Sequence, residues 1–150
     1  MVDKQQDINV VKRGTRGKEP LNIDKIHDMV EYAVEDIKGV SSSQVEMTSG
    51  LQFYDGMSTD EIQQILIKSA ADLISLDNPN YQYVAARLLL YSLRKQVIDK
   101  LWDHPHIYEH VKKCVDKKVY DEKILEWYDK KDFDRMENWI SHERDYTFTY

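Results

Sequence analysis

The chain has 150 residues, 41% hydrophobic and 32% charged, with a formal net charge of −6 at neutral pH. That length suits one domain with an appendage, the acidic balance argues against non-specific nucleic-acid binding, and no apolar run nears the ~20 residues of a membrane span. A single cysteine, Cys114, excludes an intramolecular disulfide and any cysteine-rich zinc finger, and a polar start without a signal-peptide core makes a cytoplasmic chain the expectation.

Residues 1–9 are polar and are expected to form a disordered tail. The next stretch reads as strand, turn, short strand and the start of a helix. Val10 and Val11 are β-branched and suit a pleated surface. Gly14 and Gly17 bracket a turn, Asn22 fits an N-cap, and Asp24 places a negative charge in the first helical turn. Lys12, Arg13, Arg16, Lys18 and Lys25 outnumber Glu19 and Asp24, so the segment is positive inside an acidic chain. Cations, backbone N–H groups and the positive end of a helix together suit a phosphate. An ordinary solvated hairpin fits the same residues, and from this segment alone it is the better reading.

Helix one is expected over residues 23–38, with Ile26, Met29, Val30, Ala33 and Ile37 at helical spacing and Gly39 as the stop. Ser43 with Glu46 has the form of a capping box opening a short helix two, which carries Val45, Leu51 and Phe53 and closes at Asp55-Gly56. Ser58 with Glu61 repeats the device for helix three, whose stripe is Ile62, Ile65, Leu66, Ser69, Ala70, Leu73 and Ile74. After the break Asp77-Asn78-Pro79-Asn80, helix four carries Tyr81, Val84, Ala85, Leu88, Tyr91 and Ser92 on one face and runs towards Leu101. Four amphipathic helices with a small strand unit make an α+β, mostly helical domain, expected over residues 10–100. Residues 101–150 are expected to form a further helical segment. Its helices start at Asp103-His104-Pro105, near Glu122 and near Asp132, and its last residues, Tyr146-Thr147-Phe148-Thr149-Tyr150, alternate like a strand. With little core of its own, this tail is expected to pack on something further.

No catalytic constellation emerges. Gly14-Thr15-Arg16-Gly17-Lys18-Glu19 lacks the spacing of a P-loop and the hydroxyl residue after its lysine. His106 and His110 are spaced i, i+4 without a metalloprotease glutamate, so exposed structural histidines are expected rather than a metal site. Cys114 lies on the apolar stripe of its helix and reads as a buried structural thiol. Thr59, Gln63 and Lys95 sit at the rims of apolar stripes, and periodicity leaves a plain surface role open for them.

Val11-Lys12-Arg13, then Asn22-Ile23-Asp24-Lys25-Ile26, then Gln52-Phe53-Tyr54-Asp55-Gly56-Met57-Ser58-Thr59, then Pro79-Asn80-Tyr81-Gln82-Tyr83-Val84-Ala85-Ala86-Arg87-Leu88 fall in the order and spacing of an ATP-cone. Over residues 10–150 the chain resembles the N-terminal part of the large subunit of aerobic class I ribonucleotide reductase, and His142-Glu143-Arg144-Asp145 resembles the approach to that family's catalytic barrel. The resemblance implies a four-helix bundle capped by a hairpin or three-stranded sheet, followed by a helical segment leading to a barrel that these residues do not include. It implies an overall-activity domain that binds ATP or dATP with Mg²⁺. Lys12 and Arg13 match the phosphate-contacting pair, Glu19 and Asn22 the polar residues at the adenine, Ile26 a wall of the base pocket and Lys25 a nearby cation. Thr59 matches a first-turn contact on helix three, Lys95 a phosphate-side lysine, and Tyr91 a position where an aromatic residue is usual.

Two positions depart from the family pattern. The hairpin is one residue longer, which leaves the match of Glu19 open by one position, and Gln63 stands where some members carry a histidine. Glutamine hydrogen-bonds but does not become cationic, so the response to dATP stays open. The implied partners are the remainder of the large subunit, the radical-generating small subunit and further copies of the cone, with neither nucleic acid nor membrane among them. One cysteine does not fill the three thiol roles that ribonucleotide reduction needs, so this chain alone is expected to be inactive, as a split product or a truncated piece. A family of repressors also carries an ATP-cone, but behind a four-cysteine zinc ribbon that residues 1–8 lack. The remaining alternative is a degenerate cone acting only in assembly.

Overall fold

A computed structural model describes residues 8–12, 17–98 and 104–150; Arg13, Gly14 and Asp103 lie outside them. Strands β1 (Asn9–Val11) and β2 (Lys18–Pro20) are followed by helices α1 (Ile23–Val34), α2 (Ser42–Gly50), α3 (Thr59–Asp72), α4 (Tyr81–Ile98), α5 (Ile107–Asp116), α6 (Lys123–Trp127) and α7 (Lys130–Glu137). A 3-10 helix over His142–Thr147 follows. The described residues divide into two compact units. One runs to Leu93 and includes Tyr146–Tyr150, and the other is Arg94–Asp145.

The sheet of the first unit is antiparallel, pairing Asn9 with Pro20, Val10 with Glu19 and Val11 with Lys18. β1 begins inside the stretch expected to be a disordered tail, because Asn9 is anchored from 46 residues away. Its backbone N–H and side-chain amide both donate to Asp55 Oδ1, at 2.8 and 3.1 Å. The free edge of β1 is met by the loop before α3. Gly56 N–H donates to the Asn9 carbonyl at 2.7 Å, Val11 N–H donates to the Met57 carbonyl at 2.9 Å, and Val11 bridges Ser58 in parallel. The sheet is thus two-stranded with a single bridge in place of a third strand. Gly56 makes that approach at φ 85°, a left-handed conformation that glycine adopts without strain.

Val10 and Met57 turn inward and join a core of Val30, Ala33, Val45, Leu66, Ala70, Tyr81, Val84, Ala85 and Tyr91. α1 stops at Val34, short of the expected residue 38. Arg87 Nη1 takes the carbonyls of Glu35 at 2.6 Å and Ala33 at 3.3 Å, and Asp36 turns left-handed at φ 59°. A cation on those last carbonyls ends the helix favourably. Helix two also differs from the expected capping box. Ser41 is the N-cap residue and makes no side-chain cap; the Ser42 hydroxyl donates to Glu31, and Glu46 pairs with His27 at 2.7 Å. Glu46, the expected acidic partner of the box, serves a contact to α1 instead. The Ser58–Glu61 box of α3 is formed in full.

In the second unit, α5 and α7 pack around Phe133, whose ring lies 5.7 Å from that of Tyr108 and 6.4 Å from that of Tyr128. His106 caps α5, and α7 begins at a capping box of Asp129 and Asp132, earlier than periodicity indicates. Cys114 is half-buried, with Sγ 3.6 Å from His110 Nε2. The strand expected over residues 146–150 does not form. Its first residues complete the 3-10 helix, and Tyr150 N–H donates to the Gln82 carbonyl at 3.2 Å. No helix among the described residues is long and apolar enough to cross a membrane.

Candidate nucleotide-effector site

Two helix N-termini start from the small sheet. β2 leads through Pro20 and Leu21 into α1, and the loop on the edge of β1 leads into α3. At α1, Asn22 Oδ1 accepts the Lys25 N–H at 3.0 Å, with Asp24 in the first turn. At α3, Ser58 Oγ accepts the Glu61 N–H at 3.2 Å while Glu61 Oε2 accepts the Ser58 N–H at 2.7 Å and the Ser58 hydroxyl at 2.8 Å. Tyr54 adds a hydrogen bond to Glu61 Oε1 at 2.9 Å. These bonds, the Ser58 N–H first, hold the Glu61 carboxyl below its ordinary range. The Asn9 backbone N–H, followed by its side-chain amide, does the same for Asp55.

Lys12 follows directly on the Val11–Ser58 bridge, which brings it to the α3 end of the sheet beside Thr59, the first residue of that helix. Its ammonium lies 2.9 Å from Glu19 Oε2, and both side chains keep about half of their surface open to solvent, 52% and 40%. A second cation stands nearby: Lys18 Nζ lies over Gly56, in ordinary van der Waals reach of a side-chain position there. Residues 19–25 line a shallow open depression at the α1 N-terminus. Ile26 is buried immediately beneath this turn. Gln63, one turn into α3, is half-buried and points its amide at Met29 Sδ on α1 at 3.6 Å, a weak contact that joins the two helices.

The structure therefore gathers Lys12 and Glu19 directly, Thr59 through the Val11–Ser58 bridge, and Asn22 with Lys25 through one cap. Tyr91 is placed differently. It is 1% exposed, and its ring meets that of Tyr32 edge-on at 5.8 Å. Lys95 is exposed on the last turns of α4, in the second unit. Sequence reasoning counted Lys18 among the basic residues without giving it a role, and missed Asp55 as the anchor of β1. The pairing of Asp55 with Asn9 spans 46 residues and has no local signal. Among the described residues no group of three or more His, Cys, Asp or Glu side chains is arranged to hold a metal ion. Chemically, the arrangement offers cations, backbone donors at two helix starts and a carboxylate acceptor on one rim, which suits a phosphorylated ligand with a hydrogen-bonding base.

Comparison with known proteins follows the same lines. The family model for the ATP cone domain matches residues 8–96. Similar proteins include ribonucleoside-diphosphate reductase subunit alpha of Haemophilus influenzae, 46% identical over 146 residues, covering 97% of this chain and 19% of the relative. Ribonucleoside-diphosphate reductase 1 subunit alpha of Escherichia coli is 46% identical over 145 residues with the same coverage. The subunit alpha of Enterobacteria phage T4 is 39% identical over 147 residues, again 97% of this chain and 19% of the relative. The chain thus spans about a fifth of the length of these relatives, at their N-terminal region.

Proposed function

The chain belongs to the ATP-cone family, and from that premise we propose that it is the overall-activity regulatory domain of a ribonucleoside-diphosphate reductase large subunit, binding ATP or dATP as effector. The single observation that carries the reading is that one three-residue sheet bears the Lys12–Glu19 pair and leads into both helix starts, α1 from its Asn9–Pro20 end and α3 from its Val11–Lys18 end. On this reading Lys12, with Arg13 and Lys95, holds the phosphates together with Mg²⁺. Glu19 and Asn22 meet the adenine edge, Ile26 walls the base pocket, Lys25 and Thr59 complete the rim, and Gln63 and Tyr91 support it from α3 and α4. Binding then exchanges one partner of Lys12 for another: the ammonium leaves Glu19 for a phosphate oxygen, and the freed carboxylate accepts a hydrogen bond from the adenine amino group. The solvent-open pair exchanges at small cost, because exposed ion pairs contribute only ~0–1 kcal/mol.

The second unit supports membership of a larger subunit. From residue 97 on it lies beyond the matched cone yet within the stretch shared with the large subunits. Its only buried apolar side chains among the described residues are Val111 and Phe133, while Trp127 and Trp139 are 71% and 76% exposed. We read residues 94–145 as a region that packs on the remainder of the large subunit. The radical-generating small subunit and further cones are then the partners that effector identity selects. Domain limits of 10–100 for the cone and 101–150 for the following segment are proposed with it.

Comparison of ATP with inosine triphosphate tests the base assignment. With Glu19 accepting from the adenine amino group, the inosine nucleotide binds about tenfold or more weakly, since its carbonyl faces a carboxylate. Equal affinity for the two would remove Glu19 from the base pocket.

A further inference from the structure

Residues 146–150 are fastened along the first unit by contacts that the nucleotide reading does not use. The Tyr146 hydroxyl lies 3.2 Å from the Tyr32 hydroxyl on α1. The guanidinium of Arg87, on α4, lies 4.9 Å above the centre of the Tyr146 ring, a cation–π contact. The same guanidinium holds the Ala33 and Glu35 carbonyls at the end of α1. Four residues on, Tyr150 N–H is bound by the carbonyl of Gln82 in the first turn of α4. The segment therefore runs along α4 against the helix direction, from Arg87 back to Gln82, and is clasped to α1 on the way.

One ring contact leads from the clasp to a residue of the effector reading. Tyr32 meets Tyr91 edge-on at 5.8 Å, and Tyr91 is one of the residues assigned to the pocket. α1 is pinned at its start by Asn22, which caps it beneath the basic hairpin, and at its end by Arg87. An effector that orders Tyr91 and the α1 N-terminus orders the same helix that carries the Tyr32 hydroxyl.

We propose that Tyr32 and Arg87 are positioning residues that clasp residues 146–150 onto the cone, and that docking of this segment is coupled to effector binding through Tyr91 and α1. The proposal rests on the effector reading above. It identifies the two states that coupling requires, segment docked and segment released, and the contacts that distinguish them. Because linkage is reciprocal, the factor by which nucleotide shifts the docking equilibrium equals the factor by which the docked state binds nucleotide more tightly than the released one.

The test uses the whole chain, with amide exchange at Tyr150 followed by NMR with and without saturating ATP, and ATP affinity measured by calorimetry. The variants are Tyr146→Ala, which removes ring and hydroxyl, and Tyr146→Phe, which keeps the ring under Arg87 and removes only the hydroxyl pair. Coupling predicts that ATP slows exchange at Tyr150 by at least about fivefold, that Tyr146→Ala weakens ATP by a matching factor, and that Tyr146→Phe falls between. A merely structural clasp lowers the melting temperature of both variants and leaves affinity and the ATP-dependent protection unchanged, which overturns the proposal. If the folded chain binds no nucleotide, the effector reading falls and the coupling falls with it. If nucleotide binds and Tyr150 is indifferent to it, only the coupling falls.

Discussion

Asp55 anchors the hairpin from outside it. Two bonds from Asn9 fix the start of β1, and the depressed Asp55 carboxyl reports that the charged form is the one the fold holds. Glu61 is held down in the same direction by Ser58 and Tyr54. The sign follows from both: a carboxyl depressed in the fold contributes stability above its ordinary value, and loses it as pH falls through that value to the depressed one. Melting temperature is therefore expected to fall below about pH 4.5, and Asp55→Asn to flatten that dependence while lowering stability at neutral pH. An acid limb identical in wild type and Asp55→Asn would remove Asp55 from the account. At the alkaline end, the hydrogen bond to Tyr146, followed by burial, pushes the Tyr32 hydroxyl up to about 12, so its contribution is present below pH 10 and lost as pH rises towards 12. A tyrosine absorbance titration checks this: Tyr32→Phe removes the high-pH component, and an unchanged curve contradicts the assignment. At this scale the sequence was partly legible. Asn22 as a cap and Ser58 with Glu61 as a box follow from local chemistry. Asp55 reads locally only as the end of a helix, because its partner comes from a distant strand.

Among the elements, α3 is the one whose start and central stripe follow the sequence most closely, although it ends at Asp72, with Leu73 as its C-cap and Ile74 exposed beyond it. Its capping box starts it, Leu66 is fully buried in its centre, and Ser69 is buried at the contact with Gln52. Ser58→Ala is expected to cost ~1 kcal/mol through the lost cap, and Leu66→Ala ~2–5 kcal/mol through the lost burial and the cavity left behind. Denaturant unfolding measures both, and equal effects would mean that α3 is not held by its core face. α2 shows where local reading stops. Ser43 and Glu46 stand at the right spacing for a box, yet Glu46 pairs with His27 and the neighbouring Ser42 donates to Glu31. A capping signal is a competition for the same side chains, and here tertiary partners on α1 win it. The end of α1 was hidden for the same reason: Arg87, 52 residues from Glu35, decides where that helix stops. The tail read as a strand from its alternation alone, but the described residues offer it one backbone partner, the Gln82 carbonyl, rather than an edge to pair with.

On the scale of the molecule, the first unit has an extensive core and the second has two buried apolar side chains among the described residues. Local stability follows buried contact density. Amides of α5 and α7 are therefore expected to exchange faster than those of α3 and the first turns of α4, and uniform protection would show that the second unit shares the stability of the first. The family and the broad architecture were legible because four short motifs lie in register along the chain. The geometry that joins them was not, since it depends on a loop acting as the edge of a sheet. Calorimetric titration with ATP and dATP in the presence of Mg²⁺ tests most directly the proposed role of Lys12 and Lys95 in nucleotide binding. The account predicts micromolar binding, about −8 kcal/mol, lost in the Lys12→Ala/Lys95→Ala double variant, with any preference between the two nucleotides assigned by Gln63→His. A folded chain that binds neither nucleotide, or a double variant that binds as tightly as the wild type, would contradict it.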